Sequence, residues 1–344
     1  MTREVPLRIV DGAPIPTLHG TSLARICEDL GQGASASTLS GDRVFLQHGP
    51  INLVIHADGD AHDVALAYAQ LCDAFPFWLG TLVEELTRLR QGESFTMPLP
   101  SGNIARRMAK SVRDCAPTFA TPMAAIAGAI ADEAIELFHQ QTGIVRAYVN
   151  NGGDIALYVS PGETLKVGIV ADTKNGQPTA TVTVDAASGI GGVATSGWQG
   201  RSCSFGIADA VTVLARTAAT ADVAATLVAN AVDIEHPGIE RRPANEIDED
   251  TDLGSRLVTV GVPQLTPSQV ELALALGRVE AVRLQQLGQI HGAALSLQGQ
   301  WTLLGIDTSA CAAQARLSGI PKREVGDYPM VYHEPSPGPS KDHT

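Results

Sequence analysis

Thr121-Pro-Met-Ala-Ala-Ile-Ala-Gly-Ala-Ile-Ala131 belongs in the interior of a folded chain. Thr121 can cap a helix, and Pro122 suits its first turn, where a proline forfeits no intrahelical hydrogen bond. From Met123 onward small residues occupy nearly every face, so other backbone can approach closely from all sides. Asp132, Glu133 and Glu136 read as the point where this helix emerges.

The flanking sequence supplies what would surround it. Upstream, residues 43–47 and 51–56 alternate as strands and join through Gly49-Pro50, a hairpin pattern. Helical stretches follow over 62–74 and 77–90, then a short basic helix over 103–114. Downstream, strands are expected over 144–150, 155–159, 165–171 and 179–185, then a Gly-rich loop over 188–200. Residues 209–217 read as a strand and 219–232 as a helix. Thr266-Pro-Ser-Gln269 is a capping-box start for a helix that stops near Gly288. Strands over 293–297 and 301–306 close the pattern. The fold class is therefore α/β in the form of α+β layers, with mixed or antiparallel sheets around a buried Ala/Gly-rich helix, rather than strict βαβ repetition.

Residues 1–41, with a weak helical patch over 22–30, read as an N-terminal extension that packs on a main domain over 42–307. Residues 308–344 read as a C-terminal extension whose tail is mobile from Pro321.

Composition narrows the function. The 344 residues are 44% hydrophobic and 18% charged, ordinary globular material. A net charge of −13 repels phosphate backbones, which argues against nucleic-acid partners. No apolar run is long enough for a bilayer, and the first residues lack a signal-peptide pattern, so a cytoplasmic protein is expected. Five scattered cysteines without a CxxC pair disfavour a disulfide framework or a structural zinc site. The small-residue helix leaves room for a homo-oligomer interface.

Several motifs carry chemistry. Gly189-Ile-Gly191-Gly-Val-Ala194 fits a dinucleotide fingerprint on paper, but Gly197, Trp198 and Gly200 break the helix it needs. Asn150-Asn-Gly-Gly-Asp154 is either a plain hairpin or a turn whose glycines admit a ligand while Asp154 accepts its hydrogen bonds. Ala194-Thr-Ser-Gly197, with Ser202, Ser204 and Gly206 beyond, is either a flexible loop or an anion cradle. Asp222 and Thr226, four apart, share one helix face, and such oxygen donors suit magnesium or calcium rather than zinc. Residues 245–252 form an acidic loop without the pattern of a calcium site. Cys203, between two serines, and Cys115, before the buried helix, are the thiol candidates.

These motifs, in this order, resemble the ApbE-like superfamily, whose best-known members are FAD:protein FMN transferases, and within it an uncharacterised branch. The resemblance rests on Pro122–Ala131, Asn151-Gly-Gly-Asp-Ile155, Thr195-Ser-Gly197, Ser204-Phe-Gly-Ile-Ala-Asp-Ala210 and Ala221-Asp-Val-Ala-Ala-Thr226 with Asn230, and it covers residues 42–307. It implies that the Gly-Gly-Asp turn and the Asp-Thr helix converge on one pocket. It also implies a divalent metal, such as magnesium, held by Asp222, Thr226 and a carbonyl near Ala194. The sequence departs from the transferases in lacking their His-x-x-Asp-Pro-x-Thr-Gly segment, and it has Arg201 and Ile207 where the branch usually has histidine and lysine.

The expected function is an enzyme that hydrolyses a small anionic molecule or transfers a group from it. Asn151, Gly152, Gly153, Thr195, Ser196, Gly197, Arg201, Ser204 and Met123 would bind the ligand, and Asp154 or Asp209 would serve as general base. Cys203 is the nucleophile candidate. The alternatives are a non-catalytic flavin or small-ligand carrier and a true FMN transferase.

Overall fold

The computed structural model describes residues 27–94, 96–169, 180–200, 202–306 and 331–332. The expected mobile tail, apart from residues 331–332, and Arg201 lie outside them.

The chain builds fifteen strands in these residues. They are β1 (Cys27–Gly31), β2 (Ala34–Leu39), β3 (Arg43–His48), β4 (Ile51–Gly59), β5 (Ile144–Asn151), β6 (Asp154–Val159), β7 (Thr164–Ile169), β8 (Ala180–Asp185), β9 (Gly192–Ser196), β10 (Ala210–Ala215), β11 (Glu240–Pro243), β12 (Leu257–Gly261), β13 (Ile290–Leu297), β14 (Gln300–Leu304) and β15 (Val331–Tyr332). The helices are α1 (Ala61–Glu84), α2 (Leu86–Leu89), α3 (Asn103–Asp114), α4 (Ile126–His139), α5 (Ala218–Ala231) and α6 (Pro267–Gln286).

Ten strands form one antiparallel sheet in the order β1-β2-β3-β4-β5-β6-β9-β10-β13-β14. Strand alternation gives it two faces. One carries Leu46, Leu53, Ile55, Val149, Val213 and Leu295 into the main core with the helices. The other carries Tyr148, Ile155, Leu157 and Leu214 against Leu165, Val167 and Val184 of the small sheet β15-β7-β8. The result is three layers, helices, large sheet and small sheet, as the α+β reading expects.

Several elements differ from the expectation, each for a physical reason. Residues 27–31 are strand rather than part of a helical patch, because they pair with β2, which itself pairs with β3 in the large sheet. One helix, α1, replaces the pair expected over 62–74 and 77–90. It runs through Pro76, which is buried with Leu71, Phe75 and Trp78 of the same helix, so burial of this face outweighs the hydrogen bond a proline removes. The Gly-rich stretch 188–200 hides β9, which pairs with both β6 and β10. Its glycines serve close packing, since a Cβ at Gly191 or Gly192 would run into the backbone of Arg216, Thr217 and Ala218. Strand rather than helix follows Gly191, as the rejection of a dinucleotide fingerprint requires.

The small-residue helix is internal, as expected, but its ends differ. Residues 122–125 form a 3-10 turn before α4, and Thr121 makes no cap. Its hydroxyl instead donates to the Asp252 carboxylate, which ties the acidic loop to the entry of α4. Asp132 does not mark an exit. It is 6% exposed, and its two oxygens accept from Ala218 N and Ala219 N at 2.8 Å each, neutralising the first amides of α5. Among the described residues no helix is long and apolar enough to cross a membrane.

Candidate functional site

The site grows from α5. From Ala218 to Asn230 every residue is buried except Asp222, Thr226 and Asn230, which are half-buried. Four-residue spacing puts these three on one line along the helix. An otherwise enclosed helix thus leaves a single polar stripe partly accessible.

Asp222 marks one end of that stripe. Its Oδ2 accepts from Gly128 N at 3.0 Å, and Ala127 N also donates to the carboxylate, so it sits at the positive end of α4. α4 and α5 meet without side chains between them there, because a Cβ at Gly128 would overlap the Ala218 carbonyl. Asn151 fixes the same turn from the sheet, its Nδ2 donating to Ala127 O at 3.1 Å.

Register brings Asp154 to this place. Asn151 pairs with Asp154 across the β5–β6 turn, where Gly152 and Gly153 have φ of 67° and 117°, values that a side chain would resist. β6 pairs Ile155 with Val193 and Ala156 with Gly192, so continuing one residue sets Asp154 across from Ala194. Ala156 and Ala194 pack in the helix-side core, whereas Ile155 and Val193 pack in the other, so Asp154 faces the helices. The pKa pattern agrees. Burial pushes the Asp222 carboxyl well above the usual carboxylate range, and the charge of Asp154 raises it further. The charge of Asp154 therefore acts on the Asp222 carboxyl.

Asn230 marks the other end of the stripe. Its Oδ1 accepts from Ser204 Oγ at 3.0 Å and from Phe205 N at 2.8 Å. Ser204, expected to bind ligand, is buried and pins its own loop to α5 instead. Cys203 beside it is half-buried. Its thiol is pushed up by burial and by Asp248 and Asp252 of the acidic loop, the opposite of an activated nucleophile. Cys115 is fully enclosed and its thiol is pushed up to about 12, chiefly by burial.

The remaining expected site residues divide by strand parity. Thr195 Oγ1 lies 2.9 Å from Thr212 Oγ1 and follows Val193 to the sheet face away from α5. Ser196 alternates onto the α5 face with Ala194 and is half-buried. Gly197 lies tight against the Asp209 carbonyl. The Asp209 carboxylate accepts from Gln298 N at 2.5 Å and from Trp198 Nε1 at 3.4 Å, so it braces the β13–β14 turn. Met123 is half-buried in the turn before α4.

Asp132 and Asn230 hold the site together, yet neither stood among the expected site residues. The available signals were the first acid after an Ala/Gly run and an asparagine eight residues past Asp222. A second acidic group, Asp60, His62 and Asp63 at the start of α1, has ligand atoms within 4.8 Å of one another. Asp60 there caps α1 and Asp63 holds Gly143 N, so both carboxylates already have structural work.

With this geometry in view, comparison with known proteins is informative. Residues 35–303 match the family model described as AbpE bacteria. The chain belongs to this ApbE-like family. Among curated relatives, the UPF0280 protein of Methanothrix thermoacetophila is 46% identical over 32% of this chain and 46% of its own length. That of Methanosphaerula palustris is 38% identical over 34% and 48%. The chain spans about half the length of these relatives. Among solved structures, the apo flavinyl transferase ApbE of Pseudomonas stutzeri aligns over 79% of this chain and 93% of its own, with 13% identity and a TM-score of 0.40. The ApbE protein of Thermotoga maritima aligns over 72% and 75%, with 15% identity and a TM-score of 0.34.

Proposed function

We propose that this ApbE-like protein is an enzyme that binds a small anionic molecule, of phosphate or pyrophosphate type, through a divalent cation on Asp222, and hydrolyses it or transfers a group from it. The observation that carries this reading is geometric: Asp222, held on Gly128 N, and Asp154, held by the β5–β6 register beside Asn151, stand at one place. Two carboxylates, with Asp248 and Asp252 near Cys203, repel an anion. A divalent cation reverses that sign.

The donor set suits such an ion. The Asp222 carboxylate keeps lone pairs beyond its bonds to α4, and the Thr226 hydroxyl stands one turn along on the same accessible stripe. Both are hard oxygen donors of the kind magnesium takes, and Ala194 offers a backbone carbonyl from β9. When bound, the ion would supply Lewis-acid stabilisation of negative phosphoryl oxygens.

The chain's own residues would do the rest. Asp154 would take a proton from the attacking group as general base. Gly152, exposed at the turn, and Ser196, on the α5 face of β9, would bind the anion. Asn151 would hold the α4 amides in place. Cytoplasmic location belongs to the same proposal.

Calorimetric titration of inorganic pyrophosphate with and without Mg2+ tests the reading. Binding should need the cation and should be lost in Asp222→Asn. Equal affinity in EDTA would contradict it. FAD run as a second probe with intact-mass analysis separates flavin carriage and FMN transfer from action on simpler phosphates.

A further inference from the structure

Two latches join α4 and α5, and they are built alike. Gly128 N donates to Asp222 at 3.0 Å, and Ala218 N donates to Asp132 at 2.8 Å. In each helix the carboxylate stands four residues after the amide that the other helix captures. One latch is partly open, with Asp222 on the accessible stripe of α5. The other is closed, with Asp132 buried and both its oxygens spent on Ala218 N and Ala219 N.

We propose that Asp132 is a positioning residue for Asp222, fixing where that carboxylate stands against Asp154 by clamping the start of α5 onto α4. The inference rests on the reading that Asp222 holds a divalent cation. Ala218 and Ala219 lie about one helical turn before Asp222, so a slip of that turn carries Asp222 with it. Gly128 and Gly192 leave Ala218 no side-chain cushion on either side, so the clamp acts through rigid backbone. Each of these two amides donates to its own oxygen of Asp132. Groups that orient a ligand residue without touching the metal commonly change affinity 10–100-fold when removed.

Mn2+ serves as the probe, with free ion counted by electron paramagnetic resonance. Asp132→Asn and Asp132→Ala both delete the charge, but the asparagine oxygen keeps one clamp bond. The expected order of Mn2+ affinity is wild type, then Asn, then Ala, with Ala at least about tenfold weaker than wild type. Asp132→Ser, too short to span both amides, replaces the alanine variant if that one does not fold. Val270→Ala, buried in the first turn of α6, controls for lost stability and should bind as wild type does. Equal affinity in Asn and Ala, showing a pure charge effect, would overturn the inference, as would unchanged affinity in both. Weakening of the control to the same degree would overturn it too. Wild-type protein that binds no Mn2+ would instead remove the cation reading itself, and this inference with it.

Discussion

Asp132 and Glu93 sit in opposite electrostatic surroundings, and the protein's response to pH should show both. Burial pushes Asp132 up to about 6, against the pull of the Ala219 and Ala218 amides. The native state thus holds this proton more tightly than the unfolded chain, so the group's contribution falls as pH rises from about 4 to about 6. Asp132→Asn lacks that proton. The stability advantage of wild type over the variant should narrow by roughly 2–3 kcal/mol across this interval, read from urea midpoints in EDTA. Glu93 is raised by burial, but hydrogen bonds from Arg113 and Arg88 outweigh this and hold it below its ordinary 4.5. Its stabilisation is present at neutral pH and is lost as pH falls below that value through the folded pKa, so Glu93→Gln should be less acid-sensitive than wild type. At this scale the sequence was readable where residue type sufficed. Asn151 and Asp222 meet at the start of α4, and the β5–β6 register sets Asp154 beside Asn151. Thr195 and Ser196 were inseparable by type, and only the parity of β9 sends one away from α5. Ser204 and Asp209 look like site residues until their partners, Asn230 and the Gln298 turn, are in place.

Elements pack here through glycine, and two glycines should respond oppositely to the same change. Gly128→Ala places a methyl against the Ala218 carbonyl and should destabilise by about 1–3 kcal/mol. Gly80→Ala, at an exposed position of α1 with nothing within 4 Å, should stabilise by about 0.5–1 kcal/mol. Urea denaturation of the pair checks both signs. The same packing explains which elements the sequence concealed. α3 and α6 announce themselves, α3 by its bounds and α6 by the Thr266–Gln269 capping box, which forms as expected. β9 does not, because the glycines that admit the start of α5 read as a loop. α1 reads as two helices because a proline within a helical pattern ordinarily ends a helix, and the burial that keeps this one continuous is not visible locally.

At the scale of the molecule, the ten-stranded sheet holds the β5–β6 turn and β9 in register while α4 and α5 lie across them. A cation that binds only this assembled arrangement must stabilise the whole fold. Mg2+ at 100 times its dissociation constant should add about 2.7 kcal/mol to unfolding, and Asp222→Asn should lose that gain. The layered class was legible because helix and strand periods alternate clearly along the chain. The pairing of residues 27–39 with the sheet was not, since short polar strands at an edge carry little pattern. The most direct examination of the cation account is anomalous diffraction from crystals soaked in Mn2+. The account predicts a peak on the Asp222 carboxylate beside Asp154 that disappears in Asp222→Asn. No density there, or a peak confined to Asp60, His62 and Asp63, would contradict it.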